Sequence, residues 1–155
     1  RCHRPMTDDF YPPENYYRVS LKPLVFDGEG RLLVGQNSDG FWTMLGGGWD
    51  HGETWQDCIR REAKEEFGAE VVSVGEAVCF YRHTTFKGRP KISIAVPVEV
   101  ANHDFVCNAD DEEIVAVKFV AKQEFLRLPF MESEASVKQC ADQIWSAVEK
   151  NAKNR

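Results

Sequence analysis

From Gly47 to Ala69 the chain reads G-G-W-D-H-G-E-T-W-Q-D-C-I-R-R-E-A-K-E-E-F-G-A, a glycine-punctuated loop running straight into a helix loaded with carboxylates. Thr54-x-x-Asp57 predicts the helix start: the Thr54 hydroxyl is placed to accept a first-turn N–H, and Asp57 lies where an anion favours the positive helix end. The helix is predicted to extend to about Phe67. At 3.6 residues per turn Glu62, Glu65 and Glu66 fall within an arc of about 100°, because positions three and four apart are neighbours on a helix surface. Trp55, Ile59, Ala63 and Phe67 form an apolar stripe that overlaps and adjoins this arc, so the carboxylates point along the edge of a core.

Such a cluster calls for cations. Like charges at these spacings cost roughly 0.2–0.5 kcal/mol per pair when exposed, and more when partly desolvated. A hard divalent ion suits oxygen ligands, and Mg²⁺ uses one or two carboxylates while leaving positions for water and substrate phosphates. The preceding Gly46-Gly47-Gly48 removes side chains where a ligand or another segment must approach, and Gly52 supplies a further turn before the helix. Taken singly, the glycines read as a flexible loop and the glutamates as a solvated helix face. Their ordered combination reads as a metal-diphosphate site.

The spacing is specific. Gly47 is followed after five residues by Glu53, then after seven by Arg61-Glu62, the aliphatic Ala63, a free position, Glu65-Glu66, a free position and Gly68. This resembles the Nudix box, the signature of the Nudix hydrolases. Leu45 departs from it where many relatives have proline, and Ala69 replaces a larger aliphatic residue; neither change removes a chemical group. The resemblance implies that Glu62, Glu65 and Glu66 form the main divalent-metal cluster, with Glu53 contributing directly or through water. It implies Mg²⁺, with Mn²⁺ as the alternative ion. Arg61 is the implied orienting cation and Glu62 the first choice for the base that activates water, so Arg61, Glu62, Glu65 and Glu66 make up the implied catalytic group.

Outside the box, Asp110-Asp111-Glu112-Glu113 is an acidic run that supplies another metal ligand or base, or else is a solvated loop. Arg18 and Lys22, together with Gly47 and Gly48, are the candidate substrate-binding residues; Arg82, Arg89 and Lys91 are further phosphate contacts or ordinary surface charges. His51 and His83 read as structural or exposed unless they meet substrate. Tyr16, Tyr17, Phe41, Trp42, Phe80 and Tyr81 contain either a base-stacking platform or core aromatics.

At 155 residues and 43% hydrophobic content, the chain can bury one substantial core and is too short for two ordinary domains, so residues 1–155 are expected to form a single domain. A polar, proline-containing lead-in covers 1–15. The net charge of −6 gives little electrostatic support for duplex nucleic acid, whereas a metal recruits a small anionic diphosphate or nucleotide to an acidic protein. Cys2, Cys58, Cys79, Cys107 and Cys140 are odd in number and lack metal-type spacing, which favours reduced structural thiols. No transmembrane-length run or secretory segment is visible, and a cytoplasmic location is the expectation. Monomer and homodimer both remain open.

Along the chain, strands are expected through Val19–Phe26, Arg31–Gly35, Phe41–Leu45, Val71–Tyr81, Lys91–Val100 and Ile114–Val120. The first two are expected to form a hairpin across Asp27-Gly28-Glu29-Gly30, and Lys87-Gly88-Arg89-Pro90 is a predicted turn. Helix is expected near Gln123–Leu128 and from Glu132 to about Lys150. This order gives an α+β fold, a Nudix-like α/β/α sandwich with a mixed curved sheet, the box helix on one side and the C-terminal helix on the other. The functional expectation is a metal-dependent pyrophosphohydrolase that cleaves a nucleoside diphosphate linked to another moiety. The alternative is a noncatalytic nucleotide-binding or regulatory module on the same fold.

Overall fold

The computed structural model describes residues 16–85, 87–107 and 114–153. The lead-in at 1–15 and the acidic run Asp110 to Glu113 lie outside these residues. Strand β1 (Arg18–Leu24) runs parallel to β7 (Pro90–Val100), pairing Ser20 with Ser93 and Lys22 with Ala95. On its other edge β1 meets the two-residue strand β4 (Gly47–Gly48) antiparallel. The far edge of β7 carries β6 (Cys79–Thr84) and β5 (Val71–Val74), both antiparallel, which completes a mixed five-stranded sheet. A second, antiparallel sheet takes β2 (Leu32–Gln36) between β3 (Trp42–Thr43) and β8 (Ala116–Val120).

Side chains alternate along β1, so the strand feeds two separate cores. Leu21 joins a cluster with Ile59, Ala63 and Phe67 of helix α1 (Trp55–Phe67), together with Val96 and Val98 of β7. Leu24, after the Pro23 position, packs with Tyr81, Ala95 and Val120 against Val137 and Ile144, which come from a 3₁₀ segment (Glu132–Cys140) and helix α3 (Ala141–Lys153). Helix α2 (Lys122–Arg127) adds Phe125 to that second cluster. The box helix and the C-terminal helix thus cover separate cores, the layering expected from the sequence. Among the described residues no helix is long and apolar enough to cross a membrane.

Both ends of α1 follow the sequence. The Thr54 hydroxyl accepts the Asp57 N–H at 3.1 Å, and the helix closes where Gly68 turns left-handed, with the Gly68 and Ala69 N–H groups reaching Lys64 O and Ala63 O.

Three local expectations are corrected. The predicted β1–β2 hairpin is reduced to a single bridge, Phe26 to Leu32, because Asp27 caps Arg31 within a tight turn and the chain then leaves for the second sheet. The strand predicted over Val71–Tyr81 splits into β5 and β6: Gly75 N–H bonds Pro97 O and Val78 N–H bonds Ala95 O, so the intervening residues follow β7 without joining the ladder. The expected C-terminal helix begins as 3₁₀ winding, and the change coincides with Glu134 turning into the interior.

Removing the Thr54 cap is expected to destabilise the fold by about 1 kcal/mol. Urea unfolding of Thr54→Ala should show a lower midpoint with an unchanged slope, and a midpoint equal to that of the parent would contradict the capping role.

Candidate active site

Arg61 organises the box. Its guanidinium donates to both oxygens of Glu53 at 3.1 and 2.6 Å, to Glu62 at 2.8 Å, to Glu65 at 3.3 Å and to Gly48 O at 3.2 Å, and Asp50 lies at 3.4 Å. The fork geometry of arginine suits this many acceptors. The Arg61 hydrogen bond and the Asp50 N–H hold the Glu53 carboxyl down at about 2. Glu62 moves the other way, since burial raises it above the ordinary value and outweighs the pull of Arg61. Cys58, buried beneath the loop, has its thiol pushed up to about 12 by burial and by the neighbouring Glu53, which disfavours the thiolate.

The glycine loop lies against these carboxylates. Gly46 donates its N–H to both oxygens of Glu66 at 3.3 Å. It adopts φ +116°, and a Cβ there would collide with Leu21 O, so only glycine fits the turn. A Cβ on Gly47 would sit 2.5 Å from the Glu62 carboxylate, and one on Gly48 would overlap the Arg18 guanidinium. The missing side chains are what allow a helix carboxylate and a strand cation to reach the same backbone.

Both reach a cavity of roughly 560 Å³. Its lining takes in Glu62 and Glu66 of α1, Gly46, Gly47 and Gly48 of the loop, Arg18 and Lys22 of β1, Lys91 of β7 and His83 of β6, and β1 lies directly beside the loop, with Lys22 Nζ 3.5 Å from Gly46 O. The β1–β7–β6 register puts Arg18, Lys91 and His83 in one row. Asn37, Ser38, Thr43, Met131, Ser133 and Glu134 also line the cavity.

The sequence candidates therefore separate. Glu62, Glu66, Gly47, Gly48, Arg18 and Lys22 share one cavity. Glu53 and Glu65 stand beside it, tied in through Arg61, and the Glu65 side chain is 56% exposed. His51 is exposed near Glu53, and Arg82 and Arg89 are exposed away from the cavity. Of the aromatics, Tyr81 is buried and Trp42 half-buried, whereas Tyr16, Tyr17, Phe41 and Phe80 are exposed.

Sequence reading missed Glu134 and Thr43. Glu134 is 4% exposed; it accepts the Thr43 hydroxyl, the Met44 N–H at 3.3 Å and the Tyr81 hydroxyl at 2.9 Å, and faces Lys22 Nζ at 3.7 Å. Burial alone would raise this carboxyl, but the Lys22 charge and the Thr43 and Tyr81 hydrogen bonds prevail and hold it below the ordinary value. Its signal was a charged residue in line with Phe130, Val137 and Ala141, at helical spacing where an apolar side chain is expected. His83 pairs its Nε2 with Ser93 Oγ at 2.7 Å, its Nδ1 is buried without a hydrogen-bond partner among the described residues, and burial lowers its pKa below the ordinary value.

The chain belongs to the Nudix family, whose NUDIX domain model matches residues 17–139. It is 34% identical over 73 residues to an RNA pyrophosphohydrolase of Wolbachia pipientis subsp. Culex pipiens (strain wPip), covering 44% of this chain and 45% of that protein. It is 24% identical over 145 residues to Nudix hydrolase 2 of Arabidopsis thaliana, covering 89% of this chain and 51% of the relative. The chain thus spans about half the length of the curated relatives it matches. The crystal structure of a MutT protein from Methanosarcina mazei Go1 superposes with a TM-score of 0.68 at 20% identity, over 90% of this chain and 98% of that one, which shows a shared fold.

The depressed Glu53 carboxyl sets a stability window. Its folded value near 2 lies below the ordinary 4.5, so its contribution is complete above about pH 4.5 and is lost as pH falls toward 2. Glu53→Gln should be less stable than the parent in urea near neutral pH, and the gap should close across that acid range. A gap that stays constant from neutral pH down to pH 2 would contradict the Arg61–Glu53 pairing.

Proposed function

We propose that this chain is a metal-dependent pyrophosphohydrolase that cleaves a nucleoside diphosphate linked to another moiety. One observation carries this reading: a single cavity is lined by two box glutamates and three strand cations, so a polyanion entering it would meet cations together with carboxylates suited to a metal. Membership of the Nudix family supports it, as does the pyrophosphohydrolase name of the Wolbachia relative.

The donor set suits a hard ion. Glu53, Glu62, Glu65 and Glu66 offer only oxygen, and the open face of Gly47 leaves the Glu62 carboxylate unobstructed by a side chain. Among the described residues no ready-made group of three ligands converges on one point, and Arg61 holds Glu53, Glu62 and Glu65 around its own charge. These four glutamates would hold Mg²⁺ or Mn²⁺, which when bound neutralises phosphate charge and eases deprotonation of water.

The chain's own residues have distinct tasks in this reading. Arg18, Lys22 and Lys91 bind phosphate oxygens by charge-assisted hydrogen bonds, which strengthen as negative charge builds up on the attacked phosphate. Glu62 takes the proton of the attacking water, whose oxygen bonds to phosphorus while the bridging oxygen leaves with the other phosphate. Its burial suits a base, because desolvation makes the carboxylate a better proton acceptor. Arg61 fixes the Glu62 carboxylate in place. The glycine loop lets the diphosphate approach the backbone. The reading leaves the second moiety open: a further phosphate, a sugar or another nucleotide.

Turnover of a diphosphate substrate should require Mg²⁺ or Mn²⁺ and disappear with excess chelator. Glu65→Gln and Glu66→Gln should each lower activity roughly 100-fold or more while remaining folded. Glu62→Gln should lower kcat far more than it changes KM, the signature of a group that acts in the transition state. Undiminished turnover in chelator, or in both metal-site variants, would exclude the mechanism.

A further inference from the structure

Beneath the cavity, Glu134 and Lys22 form a buried ion pair that the Nudix box does not contain. Both side chains are 5% exposed, yet both residues line the cavity. The Glu134 carboxylate is engaged through both oxygens: one accepts from Tyr81 and faces Lys22, and the other accepts from Thr43 and the Met44 N–H.

Lys22 is the opposite case. An ammonium has three donors, and the contacts of Lys22 Nζ are long: 3.7 Å to Glu134 and 3.5 Å to Gly46 O. Charge-assisted hydrogen bonds to phosphate settle at about 2.7–2.9 Å. A phosphate oxygen in the cavity therefore competes well for this ammonium, whereas the pair alone does little for stability, because desolvating two charges offsets most of their attraction. The connection also runs onward. Lys22 holds the carbonyl of Gly46, and the N–H of the same residue holds Glu66.

We propose that Glu134 is a positioning residue for substrate, acting through Lys22: it supplies the counter-charge that keeps this ammonium in the cavity floor, aimed at the phosphate group, and anchors it through Thr43 and Tyr81. This rests on the diphosphate reading above. The 3₁₀ segment, remote in sequence from the box, thereby sets the height of a phosphate-binding cation beside the glycine loop. Glu134 touches no substrate itself. Its removal should weaken phosphate binding more than it slows the chemical step.

The test compares wild type, Glu134→Gln, Lys22→Met and the double variant on one diphosphate substrate with Mg²⁺, with inorganic pyrophosphate as a competitive probe and thermal unfolding as a check on folding. Glu134→Gln keeps the side-chain volume and removes the charge. It should raise KM and the pyrophosphate inhibition constant about tenfold or more, with a smaller change in kcat. Lys22→Met should do the same, and the double variant should be no worse than Lys22→Met alone, because both substitutions remove one contact. Wild-type KM and pyrophosphate inhibition in a folded Glu134→Gln, whatever its Tm, would overturn the proposal, as would effects that multiply independently. Should Glu134→Gln fail to fold, Glu134→Asp carries the test: it keeps the charge but withdraws it from Lys22, and an unchanged KM overturns the proposal equally. Absence of any diphosphate turnover by wild type would instead remove the underlying reading, a separate result.

Discussion

One guanidinium keeps the site together. Without Arg61, the carboxylates of Asp50, Glu53, Glu62 and Glu65 would crowd one side of α1 and the loop before it with little to offset their mutual repulsion. With it, the loop is fastened to the helix at both a side chain, Glu53, and a main-chain carbonyl, Gly48 O. The glycine loop then has a fixed distance from the helix, and the close approach of Glu62 to Gly47 becomes part of the fold. Arg61 is half-exposed, so salt weakens these contacts less than it would an open surface pair, but water still reaches them.

Strand β1 supplies the other half of the arrangement. Its two-residue period sends Leu21 into the core beneath α1 and Ser20 and Lys22 to the opposite face, where Lys22 lines the cavity. A register slip of one residue would bury the apolar set on the wrong face and withdraw both cavity-lining cations, Arg18 and Lys22, together. Pairing with β7 on one edge and with β4 on the other prevents that slip, and β4 is itself part of the glycine loop. Packing and site geometry are therefore one constraint. Glu134 extends it to the C-terminal 3₁₀ segment, which joins the cavity floor to the second core.

The parts legible in sequence were those encoded by local spacing. Thr54, Asp57 and the apolar stripe define α1 because capping and helical period act over a few residues, and the ordered glycines and glutamates define the box for the same reason. Arg18 and Lys22 were legible only as cations in a strand; what brings them into one cavity with Glu62 and Glu66 is sheet register, a long-range property. The failed hairpin after β1 has the same origin. Asp27 and Arg31 make the turn, but partner choice is settled by β8, whose pairs with β2 run from Gln36–Ala116 to Leu32–Val120, far apart in the chain. Glu134 was the hardest to see. Its partners Lys22, Thr43 and Tyr81 come from three different strands or their ends, and its only local mark is a charge in an apolar stripe.

The proposed chemistry rests on one cavity that brings together helix carboxylates suited to a metal and strand cations suited to phosphate. Hydrolysis of a diphosphate-linked compound in oxygen-18 water with Mg²⁺, followed by mass analysis of both products, tests this most directly. The account predicts label in one phosphorylated fragment, with cleavage between the two adjacent phosphates. Efficient turnover of simple phosphate monoesters, with none of any diphosphate, would contradict it.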